Sequence, residues 1–111
     1  MTKRAMQEAT FLILTALAGG SRHGYGIITD VAQISGDRVR LRAGTLYSAL
    51  DRLRLDGLVD VIREEIVDNR LRRYYRLTPE GSRELAAEAD RIRSHATTAL
   101  TRLNAATGTT P

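Results

Sequence analysis

The chain has 111 residues, 42% of them hydrophobic, which suffices for one modest core and one domain. It contains no cysteine and no tryptophan, and this excludes disulfides, thiolate metal sites and a thiol nucleophile. The formal net charge is +4, and all of the excess lies before residue 79: 13 basic residues stand against 9 acidic ones up to Thr78, and 4 against 4 beyond it.

Sixteen of the 17 basic residues are arginine, the side chain suited to forked contacts with phosphates and guanine edges. The longest purely apolar run, Phe11 to Leu14, is far below the roughly 20 residues of a membrane span, and the opening residues lack the apolar region of a signal peptide. A cytoplasmic protein with no membrane partner is expected.

Met6, Ala9, Ile13, Leu14 and Leu17 recur at steps of three and four, predicting an amphipathic helix over residues 5–18 that ends at Gly19-Gly20. Phe11 and Leu12 widen its apolar face, so it should touch more than one neighbour. Ser21 to Gly24 reads as a turn, and Tyr25, Ile28, Val31, Ala32 and Ile34 mark a second helix over residues 24–35. Residues 39–41 are short enough for a connecting strand.

The third helix, over residues 43–56, has Leu46, Leu50 and Leu53 as an inward stripe, Leu55 and Leu58 near its exit, and Gly57 where a left-handed cap stops it. Residues 58–66 and 70–77 then read as two antiparallel strands, because Asp68-Asn69 tolerates the positive φ of a tight hairpin turn. Adjacent strand residues point to opposite faces, so one of Tyr74 and Tyr75 belongs to the core and the other faces outward. Thr78-Pro79-Glu80 starts a last helix over residues 79–104, although Gly81 stands where a full capping box needs Glu or Gln. Leu85, Ala89, Ile92, Ala96, Ala99 and Leu103 form a heptad seam along it. With three alanines that seam is too thin to stand alone, which predicts packing on a second copy of the chain. Residues 105–111 are small, polar and unpatterned, and read as a disordered tail.

The fold class is therefore mainly α with a small antiparallel β hairpin: a winged helix-turn-helix over residues 1–78 with a C-terminal dimerisation helix over 79–104. Five arginines and one acid lie in residues 38–54, and four arginines and no acid lie in residues 70–77. Two basic patches flanking one helix suit a protein that grips double-stranded DNA on either side of a groove. Arg42, Thr45, Tyr47, Ser48 and Arg52 on the third helix, and Arg70, Arg72 and Arg73 on the wing, are the candidate contacts. His23 and Tyr25 join them, with a helix-capping role for His23 and a core role for Tyr25 as the alternatives. His23 and His95 are the only histidines, and neither has metal-ligand spacing. No nucleophile has a base beside it, so neither enzyme activity nor a cofactor or metal is expected.

The segments His23-Gly24-Tyr25-Gly26-Ile27, Gly44-Thr45-Leu46-Tyr47-Ser48-Ala49-Leu50, Arg52-Leu53 with Gly57-Leu58, and Arg73-Tyr74-Tyr75-Arg76-Leu77-Thr78 with Gly81 resemble the PadR family of bacterial transcriptional regulators. The resemblance covers about residues 9–85. It implies a homodimeric winged-helix repressor controlled by a small hydrophobic or phenolic effector, with Phe11, Leu14 and Ile92 as guesses for its lining. A winged-helix module that binds only other proteins is the competing expectation.

Overall fold

The computed structural model describes residues 5–107, in the order α1 (Glu8–Ala18), β1 (Arg22–His23), α2 (Gly24–Ile34), α3 (Ala43–Leu55), β2 (Val59–Val67), β3 (Arg70–Leu77) and α4 (Pro79–Ala106). The three strands form one antiparallel sheet in the order β1-β3-β2. α1 is the hub: Leu12, Ile13, Leu14, Ala16 and Leu17 are all buried, and the helix packs on α2, β3 and α4. Its apolar face is that broad because it has three neighbours to cover. It starts three residues later than expected, with Gln7 in extended conformation at its N-cap and Met6 donating its backbone N–H to Glu88 Oε2 of α4 at 3.1 Å.

The stripe Leu46, Leu50 and Leu53 carries α3 onto this core together with Ile27, Val31, Val59 and Tyr75. Leu55 does not join it. Two positions after Leu53 is about 200° around a helix, and the side chain is 88% exposed. Gly57 then adopts φ +77°, its N–H reaching the Arg54 carbonyl while Leu58 N–H reaches Leu53, the paired bonds of a Schellman stop.

Asp68 and Asn69 both have positive φ, 51° and 63°, as a two-residue I′ hairpin turn demands. Strand β2 alternates imperfectly because the register slips between Val61 and Arg63, leaving Ile62 as a bulge. Two features depart from expectation. Residues 39–41 are not a strand; no strand offers them a ladder, and Val39 instead donates to Ser35 Oγ at 2.9 Å. Conversely, Arg22 and His23, read as a turn, pair with Tyr75 and Tyr74 as β1.

Helix α4 runs 28 residues, about 42 Å at 1.5 Å per residue. Thr78 caps it by accepting from Gly81 N–H at 3.0 Å. It continues to Ala106, so Ala105 and Ala106 of the expected tail are helical, Thr107 is the cap, and residues 108–111 lie outside the described residues.

Candidate nucleic-acid interface

The inward leucine stripe of α3 turns its remaining side chains to solvent. Arg42, Thr45, Tyr47, Ser48 and Arg52 are all exposed on the helix or at its cap. Tyr47 is anchored as well as exposed, because its ring lies against the backbone at Gly24. A Cβ on residue 24 would come within 2.8 Å of Tyr47 Cζ and 3.2 Å of Cε1, so that glycine seats the phenol beside the start of α2. The glycines of His23-Gly24-Tyr25-Gly26 suit a tight helix entry and a close backbone approach, but that the approaching group at Gly24 is Tyr47, 23 positions on, has no local signature.

His23 sits at the same corner and caps α2: its Nδ1 accepts from Gly26 N–H at 3.2 Å. The capping role is therefore real, and it leaves Nε2 as the protonated nitrogen of the neutral ring. The ring meets Tyr74 edge-on, centroids 5.5 Å apart. Partial burial, and then the positive charge of Arg72, hold its pKa below the ordinary 6.5, with Glu65 opposing. The sign follows directly. Between the folded and unfolded pKa values the unfolded chain binds the extra proton, so this contribution to stability is intact above about 6.5 and lost as the pH falls below it. The melting temperature should drop from about pH 7 to about pH 5, and His23→Asn, which keeps a capping acceptor but cannot titrate there, should flatten that slope. An unchanged slope in the variant would assign the titration to another group. Tyr25, by contrast, is 74% exposed and is not a core aromatic.

On the wing, Tyr75 is the core tyrosine, 1% exposed, and burial pushes its hydroxyl pKa up against the pull of Arg73. Tyr74 occupies the opposite face. Its hydroxyl donates to Glu65 Oε1 at 2.7 Å and the Arg63 guanidinium lies 4.0 Å over its ring. Arg73 Nε donates to Glu64 Oε2 at 3.0 Å, and Arg76 engages Asp60 at 3.0 and 3.5 Å. Arg70 and Arg72 make no ion pair among the described residues.

His23, Tyr25, Tyr47, Arg70, Arg72 and Arg73 line one open cleft of about 640 Å³ between the N-terminal ends of α2 and α3 and the wing tip. Six of the ten residues picked from sequence thus share one surface. Arg42, Thr45, Ser48 and Arg52 do not line it and remain on the exposed side of α3. Arg63, Glu64 and Glu65 escaped the sequence argument because their roles depend on cross-strand register.

The α4 seam divides in two. Leu85 is half-buried on its own chain, whereas Ala89 is exposed and Ile92, Ala96, Ala99 and Leu103 lie in a stretch from Ile92 to Leu103 that is exposed throughout. Among the three residues guessed to line an effector site, Leu14 is fully buried in the core and presents no surface to a ligand. Phe11 is half-buried and Ile92 exposed, and neither lines the apolar groove of about 530 Å³ that Leu17, Leu77, Leu85, Ala86 and Ala89 form beside Arg76. Among the described residues no helix is long and apolar enough to cross a membrane, and no group of three or more His, Asp or Glu residues is placed to hold a metal ion.

Residues 13–87 match the family model described as the transcriptional regulator PadR-like family. The transcriptional regulator Rv3488 of Mycobacterium tuberculosis is 41% identical over 68 residues, 61% of this chain and 50% of its own. A 37.1 kDa protein in transposon TN4556 of Streptomyces fradiae is 42% identical over 82 residues, 74% of this chain and 22% of its own. The chain thus spans about half and about a fifth of these two curated relatives. A PadR family transcription regulator from Clostridium difficile R20291 superposes with TM-score 0.71 at 25% identity, covering 87% of this chain and 99% of that one. The structure of Bacillus subtilis PadR in complex with operator DNA shares the fold, with TM-score 0.64 at 24% identity over 73% of this chain and 47% of that one.

Proposed function

The chain belongs to the PadR-like family of transcriptional regulators, and from that premise we propose that it is a cytoplasmic, homodimeric, sequence-specific DNA-binding repressor whose residues up to 78 form the reading head and whose α4 joins two copies. The observation that carries the proposal is the cleft that Tyr47 of α3 shares with Arg70 and Arg72, two arginines with no ion pair among the described residues. Helix α3 would enter a major groove, with Thr45, Tyr47 and Ser48 near base edges and phosphates. The arginines of β3 would meet the backbone beside it.

The exposed seam of α4 supports dimerisation: Ala89, Ile92, Ala96, Ala99 and Leu103 repeat on one side of a helix that its own chain leaves uncovered. A two-fold dimer would set its recognition helices about one DNA turn (about 34 Å) or a multiple apart and would ask for a palindromic operator. A small hydrophobic or phenolic effector in a crevice between the copies would act by favouring one spacing of those helices over another.

Gel-shift titration of the DNA just upstream of the gene tests the DNA-binding reading. Affinity should fall steeply and linearly on logarithmic axes as salt rises. A protein that binds only other proteins would show no salt-dependent affinity for any duplex.

A further inference from the structure

The two strands of the wing oppose each other in charge as well as in register. Asp60 faces Arg76, Glu64 faces Arg73 and Glu65 faces Arg72. Glu64 and Arg73 make their bond with side chains 49% and 45% exposed. Exposed ion pairs contribute only about 0–1 kcal/mol to stability, so holding the hairpin together is a weak reason for an acid at this position. Its effect on an approaching polyanion is larger. Arg73 lines the cleft beside α3, and a carboxylate 3.0 Å from its Nε both offsets the guanidinium charge and repels phosphate there. Arg70 and Arg72, with no such partner among the described residues, keep their charge available.

We propose that Glu64 is a positioning residue that limits the sequence-independent affinity of the wing for duplex DNA by neutralising Arg73 where it faces the cleft. The inference rests on the DNA-binding reading above. Its physical use is plain. Phosphate contacts supply nearly all of non-specific binding, and a chromosome offers an enormous excess of non-specific sites. A wing with every arginine free would hold the protein on them.

Glu64→Gln keeps the shape and removes the charge. Against a short random-sequence duplex, the variant should bind several-fold more tightly at low salt, and its slope of log affinity against log salt should steepen by about 0.9, the value of one added phosphate contact. That gain should itself shrink about threefold between about 50 and about 200 mM salt. Asp90→Asn on α4 adds the same unit of net charge away from the wing, and should change affinity little. In the double variant Glu64→Gln/Arg73→Ala the gain should disappear. Failure of the wild-type protein to bind any duplex would overturn the DNA-binding reading itself. If the wild type binds but Glu64→Gln matches Asp90→Asn, or if the gain survives loss of Arg73, the role given to Glu64 is wrong.

Discussion

Gly81→Ala should lower the melting temperature by about 15 °C, although helix propensity alone would make alanine the better residue by about 1 kcal/mol. Position 81 lies in the first turn of α4, buried against the backbone that leads into β2. A Cβ there would overlap the Leu58 carbonyl oxygen, and would stand 3.0 Å from the Leu58 carbonyl carbon and 3.3 Å from its Cα. Backbone cannot swing away as a side-chain tip can, and this backbone is tied down: Leu58 O accepts from Thr78 N–H at 3.0 Å, while Thr78 Oγ1 donates to Gly57 O at 2.6 Å. Relieving the overlap means parting α4 from the base of the wing, at a cost of about 3 kcal/mol. Gly44→Ala is the control. It too replaces a helical glycine, but nothing lies within 4 Å of the new Cβ, so a gain of about 0.5 kcal/mol is expected. Thermal unfolding followed by circular dichroism reads both, and a Gly81→Ala protein as stable as the parent would refute the close-approach argument.

Arg70→Ala/Arg72→Ala should weaken DNA binding by about 60-fold at 0.1 M salt. Each phosphate contact contributes a slope of about −0.9, or roughly eightfold between 1 M and 0.1 M salt, and the two act independently. The loss should be similar for operator and random duplexes, and the salt slope should flatten by about 1.8, because these contacts position the protein without reading sequence. Arg73→Ala should cost less, since Glu64 already offsets that guanidinium's charge. A double variant with unaltered salt slope would remove the wing from the interface and leave α3 alone to account for binding.

Legibility in the sequence followed the distance over which each feature acts. The helix stripe Leu46, Leu50 and Leu53, the stop at Gly57, the turn at Asp68-Asn69 and the start at Thr78-Pro79 all appear where expected. The motifs that resembled the PadR family lie within or beside the matched residues 13–87. The candidate surface was readable in part: His23, Tyr25, Tyr47 and the wing arginines do converge, while the arginine whose charge Glu64 offsets could not be told from the two with no ion pair among the described residues.

Caps, turns and amphipathic stripes are set by residues one to five positions apart, so those elements and their order were already written in the chain. Decisions that joined distant positions required the folded state. The ladder between Arg22-His23 and Tyr74-Tyr75 crosses more than fifty residues, and it turned an apparent loop into β1. Residues 39–41 carry strand-like side chains yet found no edge to pair with. Tyr75 became the core ring because its face of β3 meets the buried residues of α1, α2 and α3, and Gly81 proved to be a packing requirement rather than a defective cap. The reason is common to all of these: a ladder bond, a buried face or a close backbone approach is a property of two segments together, and neither segment alone specifies its partner.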